Sequence, residues 1–340
     1  MRKVAVVEKR YAKDAIRFLL ENDMLDDSRR ISRSNGKVEI PVKSDIELPF
    51  PYYIKEQEKV LYRTQYEPFR EIKKRASEII EGEEELLPKK WERFGDVLII
   101  KFPEGMERKK ELAKIYADVL KCRTVLEDVG GITGIKRKPL VKYIYGDRNA
   151  ETTHVENKIK FMFDASKIMF SSGNVDERIR MAYAGKEGEV VVDMFAGIGY
   201  FSIPIAFYSK TNVYACEINP VAYEYLKKNI ELNNVKKNVT ALYGDCREVA
   251  PRGVADRIIM GYFKSKNFLP HAMEILRGEG VIHYHTTCPK SSFPEEPFRD
   301  VARAAIDSGK RAEMIFHRKV KSYAPGIIHG VIDVKISEGH

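Results

Sequence analysis

Short apolar runs alternate with amphipathic stretches through the second half of the chain. Each run has the length of a buried strand, and each stretch between runs carries apolar residues at helical spacing. Strands are predicted at residues 189–193, 212–216, 239–243, 256–260 and 281–285, then near 312–320 and 328–336. Helices are predicted near residues 200–207, 219–232, 266–276 and 296–308. This order predicts an α/β fold with a seven-stranded, mostly parallel sheet that binds its ligand at the carboxyl ends of the strands.

Two smaller α+β modules are predicted before this sheet. Residues 1–60 contain a strand at Lys3–Glu8, a helix over 10–24 and a hairpin turn at Asn35-Gly36, and the proline-bearing stretch Leu48–Tyr52 is typical of a linker. The middle module is predicted over 66–172, with helices at 67–81 and near 107–120 and strands at 96–102 and 158–163. The sheet domain then occupies 173–340 and begins with a helix at 175–184.

Composition adds an excess of positive charge. The 340 residues carry a formal net charge of +9, which favours a polyanionic partner such as nucleic acid, although a solvated basic surface has the same composition. No apolar run approaches a membrane span, and the N-terminus lacks the apolar core of a signal peptide. The four cysteines form no Cys-x-x-Cys pair, which argues against zinc and disulfides. We therefore expect a cytoplasmic protein without a metal.

A glycine turn follows the first strand of the sheet domain. Asp193 ends that strand, and Gly197 and Gly199 allow the backbone to turn sharply against a ligand. Glu217 closes the second strand, where a carboxylate suits ribose hydroxyls, and Asp245 closes the third, where it can accept the adenine amino group. These positions predict a ligand that contains adenosine.

S-adenosylmethionine suits this turn better than NAD does. The NAD fingerprint needs a third glycine where this chain has Ser202, and Tyr200-Phe201 would crowd a pyrophosphate. S-adenosylmethionine carries no phosphate. The remaining alternative is a Rossmann-like fold whose glycine turn is purely structural.

A basic loop lies in the middle module. Gly130-Gly-Ile-Thr-Gly134 leads into the consecutive cations Lys136, Arg137 and Lys138. A flexible backbone with clustered cations suits an irregular polyanion such as RNA, while a solvated turn would have the same residues.

The segment Phe170-Ser171-Ser-Gly-Asn-Val-Asp-Glu-Arg178-Ile-Arg180, followed by Asp193-x-Phe-Ala-Gly-x-Gly, resembles the tRNA guanine-37 N1-methyltransferase superfamily of archaea and eukaryotes. The resemblance covers the whole chain, with its three modules in the expected order. It implies a class I methyltransferase-type Rossmann domain and an N-terminal module that recognises tRNA. It also implies that Ser171 and Arg178 hold S-adenosylmethionine, with Glu217 at the ribose and Asp245 with the Cys246 backbone at the adenine.

One departure from that pattern selects a branch of the superfamily. The N1-methyltransferases have an Asn-Pro-Pro-Tyr-like segment after the fourth strand, whereas this chain has Met260-Gly-Tyr262, and His283-Tyr-His285 on the fifth strand. These residues and the segment Lys321–His329 resemble the wybutosine-pathway branch, which transfers 3-amino-3-carboxypropyl from S-adenosylmethionine. The resemblance implies 4-demethylwyosine at position 37 of tRNA(Phe) as the acceptor and methylthioadenosine as the by-product.

No general base can be assigned from the sequence. The candidate catalytic residues are Arg178, Tyr262, His283 and His285. Arg178 could instead form a salt bridge on its own helix, and the two histidines could line the core or the acceptor pocket. A metal site at the histidines lacks a third ligand at suitable spacing. Tyr262 and Phe263 could stack on a flipped base or simply pack.

Two further functions stay open. One is methyl transfer to guanine-37 N1 or to C7 of the tricyclic base, and the other is tRNA binding by a domain that has lost turnover. The sequence indicates no obligate protein partner.

Overall fold

The computed structural model describes residues 2–34, 36–44, 46–57, 60–62, 67–134 and 138–339. The chain divides into two compact units, residues 1–68 and 69–340. In the described part of the chain, no helix has the length and apolarity needed to cross a membrane.

The first unit is a four-stranded antiparallel sheet with one helix. The strand order is β2-β3-β1-β4, and the helix buries Ala15 and Leu19 against the sheet. Tyr52, at the end of the stretch predicted as a linker, begins strand β4, which pairs with β1 at the sheet edge. The elements are β1 (Lys3–Glu8), α1 (Ala12–Glu21), β2 (Ser32–Ser34), β3 (Lys37–Pro41) and β4 (Tyr52–Glu56).

The second unit begins with a mixed sheet and a hairpin. The sheet order is β5-β6-β7-β8, with β6 and β7 parallel, and β9 and β10 form a separate antiparallel hairpin. The helix predicted over 67–81 ends at Ala76. The elements are α2 (Pro68–Ala76), β5 (Trp91–Phe94), β6 (Val97–Ile100), α3 (Lys109–Leu120), β7 (Thr124–Thr133), β8 (Lys138–Gly146), β9 (Glu151–Glu156) and β10 (Ile159–Asp164).

The predicted seven-stranded sheet is confirmed. Its order is β13-β12-β11-β14-β15-β17-β16. The first five strands pair in parallel, and β17 pairs antiparallel with both of its neighbours, β15 and β16. The strands are β11 (Val190–Asp193), β12 (Asn212–Glu217), β13 (Val239–Tyr243), β14 (Ala255–Met260), β15 (Leu276–Pro289), β16 (Lys310–Ala324) and β17 (Ile327–Glu338). The helices are α4 (Val175–Ala182), α5 (Ser202–Ser209), α6 (Pro220–Leu232), α7 (Cys246–Val249), α8 (Leu269–Ile275) and α9 (Glu295–Asp307).

Alternating side chains of the central strands bury both faces of this sheet. Val191 and Ile259 join one core, while Val192 and Ile258 join the other. The first core also contains buried phenylalanines of β5 and β10, so the middle module and the sheet share it. This common core explains why residues 69–340 form one compact unit.

The antiparallel strands bring the end of the chain to the ligand-binding edge. Because β17 runs opposite to β15, its first residues lie beside the carboxyl end of β15, with Thr287 opposite His329 and Pro289 opposite Ile327. The β16–β17 hairpin therefore ends at the same edge as the parallel strands.

Candidate active site

One large cavity opens at the carboxyl edge of the seven-stranded sheet, where the strand order reverses between β11 and β14. Its volume is about 1380 Å³, whereas a site for one small molecule occupies roughly 300–1,000 Å³. The space is therefore sufficient for two ligands side by side.

Two groups of residues line this cavity. The glycine-turn end combines the ends of β11, β12 and β13 with the segment before α4, and it comprises Ser171, Arg178, Gly197, Glu217, Asp245 and Cys246. The hairpin end combines the ends of β14 and β15 with the β16–β17 hairpin, and it comprises Tyr262, Phe263, His285, Tyr323 and His329.

The glycine turn needs its two glycines for conformation and for space. Gly197 has φ +59° and Gly199 has φ +98°. A Cβ on Gly197 would lie 2.6 Å from the Tyr200 ring, and one on Gly199 would lie 2.4 Å from Ile203 Cδ1. Gly197 lines the cavity, whereas Gly199 supports the turn from behind.

Asp193 also supports the turn without lining the cavity. It is fully buried, and it accepts hydrogen bonds from Ser202 Oγ at 2.6 Å and from the Phe195 backbone N–H at 3.2 Å. Burial raises the pKa of Asp193 to about 6, and these hydrogen bonds oppose the rise. Ser202 therefore holds the strand-end carboxylate, at the position where the NAD fingerprint has a glycine.

Glu217 connects the two turns next to it. Oε2 accepts from the Gly197 N–H at 2.7 Å, and Oε1 accepts from the Asn219 N–H at 2.6 Å. Burial raises the pKa of Glu217, against the effect of these backbone donors. Each carboxylate oxygen has a second lone pair, so Glu217 can still accept from two ribose hydroxyls. Beside it, Ile218 lines the cavity although it is apolar and 50% exposed, and it offers a flat contact for a base.

Asp245 is the N-cap residue of α7. It accepts from the Arg247 N–H at 2.9 Å and pairs with the Arg247 guanidinium, and this hydrogen-bonded pair lowers the pKa of the Asp245 carboxyl. Cys246, the first residue of α7, is buried beside it. An ionised carboxylate that lines the cavity here can accept a hydrogen bond from the amino group of an adenine.

Arg178 pairs with Glu156 on β9, and not with a residue of its own helix. The pair is bidentate, with Nη2 2.9 Å from Glu156 Oε1, and Nη2 also donates to the Ser171 carbonyl at 3.0 Å. The guanidinium lies over the Phe170 ring, 4.8 Å from its centroid. Arg178 therefore fixes the segment that carries Ser171, and Glu156 compensates its charge.

Lys321 is a second cation at this end of the cavity. Its Nζ donates to Ser171 Oγ at 2.7 Å, and its side chain lines the cavity. Ser171 is thus held by Arg178 through its carbonyl and by Lys321 through its hydroxyl. Lys321 belongs to β16, so a strand 150 residues away from Ser171 in sequence contributes to the glycine-turn end of the cavity.

The structure does not bring His283 to the cavity. Nδ1 of His283 lies 2.6 Å from Asp333 Oδ1, and Nε2 lies 2.7 Å from Arg257 Nη1. Because the arginine can only donate, His283 donates through Nδ1 to Asp333. Burial lowers the pKa of His283, although Asp333 opposes it. His283 is a buried structural residue.

Asp333 continues this buried network to α4. Burial acts to raise the pKa of Asp333, but the hydrogen bond from His283 and the pairing with Arg180 lower it strongly. Arg180 also holds Glu177, with Nη2 2.7 Å from Glu177 Oε1. The network joins α4, β15 and β17 beneath the hairpin end.

His285 and His329 form the floor of the hairpin end. His285 Nδ1 and His329 Nε2 are 3.2 Å apart, and both side chains line the cavity although they are almost fully buried. Burial lowers the pKa of His285 well below its ordinary value, and His329 adds to this effect, so the His285 ring is neutral. The Phe263 ring lies 4.5 Å from the His329 ring. Tyr262 instead packs on Phe195, at 5.4 Å between centroids.

The basic loop is only partly described. Lys136 and Arg137 lie outside the described residues, while Lys138 is exposed and begins β8. Nearby Gly131 and Pro139 line the cavity. The tRNA contact assigned to this loop stays a prediction.

Sequence reasoning did not identify Lys321, Tyr323 and His329 as site residues. They belong to the segment Lys321–His329, whose resemblance to the wybutosine-pathway branch gave them no role, since nothing in their spacing links them to a glycine turn far upstream. The one signal in the sequence was an aromatic residue, Tyr323, close to the cations Lys319 and Lys321. Within the described residues, no group of three or more His, Cys, Asp or Glu side chains is arranged to hold a metal.

Three family models match the chain in succession. The TRM5/TYW2 methyltransferase domain matches residues 152–314, the TYW2 N-terminal domain matches residues 72–149, and the tRNA methyltransferase 5 N-terminal domain matches residues 6–49.

Individual proteins with the names of both enzyme types are similar to this chain. The tRNA(Phe) (4-demethylwyosine(37)-C(7)) aminocarboxypropyltransferase of Pyrococcus horikoshii is 44% identical over 272 residues, which cover 78% of this chain and 97% of that protein. The crystal structure of P. horikoshii TYW2 in complex with MeSAdo matches with a TM-score of 0.73 and 39% identity, over 80% of this chain and 100% of that one. The tRNA (guanine(37)-N(1))-methyltransferase Trm5b of Pyrococcus abyssi is 35% identical over 94% of this chain and 95% of that protein.

Proposed function

The chain belongs to the TRM5/TYW2 family, and we propose that it is a member that transfers the 3-amino-3-carboxypropyl group of S-adenosylmethionine to C7 of 4-demethylwyosine at position 37 of tRNA(Phe). The cavity carries this proposal. Its glycine-turn end offers carboxylates for an adenosine, and its hairpin end offers aromatic rings and a neutral histidine for a base.

The donor can react at any of three carbons, so its orientation decides the product. All three carbons on the sulfonium are electrophilic, and the one aimed at the nucleophile is transferred. Glu217 and Asp245 would hold the adenosine, while Ser171, with Arg178 and Lys321 behind it, would position the methionine chain. Aiming the γ-carbon at the acceptor selects aminocarboxypropyl transfer.

The transfer is balanced without a further reactant. A bond forms between acceptor C7 and the γ-carbon, and the bond between the γ-carbon and sulfur breaks. Its electron pair stays on sulfur, so methylthioadenosine leaves as a neutral thioether. C7 then loses its proton to solvent water, and the aromatic ring is restored.

The hairpin end separates this reaction from the second candidate, methyl transfer to guanine N1. The end of β14 carries Met260-Gly261-Tyr262, which has no amide side chain, and Tyr262 packs on Phe195. The N-terminal match to a tRNA methyltransferase 5 model and the similarity to Trm5b keep methyl transfer as the alternative.

Two parts of the chain are proposed to bind the tRNA body. They are the N-terminal module, residues 1–60, and the loop Lys136-Arg137-Lys138. The basic balance of the chain and the N-terminal match to a tRNA methyltransferase model support this assignment.

The by-product tests the proposed reaction. The full chain is incubated with S-adenosylmethionine and tRNA(Phe) that carries 4-demethylwyosine, and the nucleosides released are separated by chromatography. Methylthioadenosine formed in step with tRNA modification supports the proposal. S-adenosylhomocysteine as the product would establish methyl transfer instead.

A further inference from the structure

Tyr323 is an exposed aromatic residue at the mouth of the cavity. Its side chain is 59% exposed, and it lines the cavity opposite Phe263, with ring centroids 5.7 Å apart and nearly perpendicular planes at 84°. Covering an exposed ring of this size with another flat group removes apolar surface from water, which is favourable. Tyr183 has the same degree of exposure, but it packs on Tyr208 and does not line the cavity.

The backbone turns Tyr323 toward this position. The pairing of β16 with β17 is regular at Ser322 and Ala324, but the register shifts between them, so Tyr323 is the extra residue of a β-bulge. A bulge re-aims a side chain out of the strand's alternation, and bulges are common beside active sites. The bulge stands at the end of the hairpin that reaches the cavity.

The floor beneath these rings suits an uncharged planar group. His329 packs against Phe263, and His285 contacts both His329 and the Phe201 ring, 5.2 Å away. The His285 ring is neutral, and Lys264 and Lys321 also line the cavity. An exposed aromatic ring in a cavity that also contains cations fits a base attached to a phosphate backbone.

We propose that the exposed face of Tyr323, with Phe263 packed perpendicular to it, forms the stacking subsite for the base at position 37. The inference rests on the proposed function, since it takes that base as the acceptor. An enzyme that modifies a base must first take it out of the stack, and flipped bases stack on aromatic side chains. Stacked here, the base would lie beside the glycine-turn end, where the donor is held.

A binding cycle tests this subsite without any transfer step. The full chain and its Tyr323→Ala and Tyr323→Phe variants are titrated with two forms of tRNA(Phe), one intact and one abasic at position 37. Tyr323→Ala should weaken binding of the intact tRNA by about 5- to 150-fold and leave binding of the abasic tRNA unchanged. Tyr323→Phe should keep wild-type affinity for both.

A matched control removes a tyrosine of equal exposure. Tyr183→Ala, at a residue 60% exposed and outside the cavity lining, should bind both tRNAs as the wild type does. Equal losses for the two tRNAs with Tyr323→Ala, or no loss, would overturn the subsite. If the cycle shows the expected coupling while the wild type produces no methylthioadenosine, the proposed reaction fails and the subsite stands.

Discussion

The two ends of the cavity are built in different ways. At the glycine-turn end, Glu217 is the last residue of β12, and Gly197 and Asp245 lie in the turns that follow β11 and β13. The Glu217 and Asp245 carboxylates accept from backbone N–H groups close by. At the hairpin end, Phe263, His285 and Tyr323 come from three separate segments, and they meet because antiparallel strands return to the same edge. The glycine-turn end therefore depends mainly on residues next to the parallel strands, whereas the hairpin end depends on pairing between distant segments.

The largest expected effect comes from the residue that fixes the segment before α4. Arg178→Ala leaves Glu156, whose side chain is only 10% exposed, without its partner, which should lower the free energy of unfolding by about 3 kcal/mol. Transfer should fall about 100-fold because Ser171 loses its support. Affinity for tRNA should stay unchanged, since the hairpin end is intact. Thermal denaturation, labelled-donor assays and tRNA titration measure the three quantities.

A paired variant separates stability from donor positioning. Arg178→Met with Glu156→Gln removes both charges, so the protein should recover most of its stability while transfer stays low. Recovery of transfer along with stability would show that Arg178 has no direct part in the glycine-turn end.

The next effect concerns the cost of the buried carboxylate at the glycine turn. The folded-state pKa of Asp193 is raised from 3.8 to about 6, so its contribution to stability is fully present below pH 3.8 and is lost as pH rises through 6. The unfolding free energy of the wild type relative to Asp193→Asn should therefore fall by about 2 kcal/mol from pH 4 to pH 7. Chemical denaturation over this range measures it, and a difference that does not vary with pH would contradict the burial cost assigned to Asp193.

The smallest expected effect comes from the basic loop, whose three cations belong to neither end of the cavity. Reversing the charges of Lys136, Arg137 and Lys138 should weaken tRNA binding about tenfold, and it should lower the slope of the salt dependence by about 1 for each phosphate that the loop no longer binds. Donor affinity should not change. Reversal at Lys236 and Lys237, which do not line the cavity, provides a matched control. Equal losses in the two variants would indicate a general charge effect.

The same contrast explains how much could be predicted from the sequence. The sequence places Glu217 and Asp245 at or just after the ends of parallel strands, because each comes at the end of a short apolar run, and the structure brings both to one end of the cavity. Their contacts with the donor stay predictions. The seven strands were predicted for the same reason, although β15 begins at Leu276 and not near 281, since its pairing with β14 shifts register between Ala255 and Arg257.

Residues that depend on long-range pairing could not be predicted. Lys321 reaches Ser171 only after β16 has paired with β17. Glu156, at the end of β9, pairs with Arg178 on α4, and strand β10 lies between them in sequence. His283 shares a strand face with His285 but lies in a buried network with Asp333, which the alternation of strand residues cannot distinguish. In each case the partner is determined by packing between distant segments.

The most direct test of the proposed reaction follows the two labels of one donor. S-adenosylmethionine labelled differently in its carboxyl and methyl groups is supplied to the wild type with tRNA(Phe) that carries 4-demethylwyosine, and the tRNA is then isolated. Aminocarboxypropyl transfer predicts that the carboxyl label enters the tRNA while the methyl label stays with methylthioadenosine. Methyl label in the tRNA without carboxyl label would contradict aminocarboxypropyl transfer.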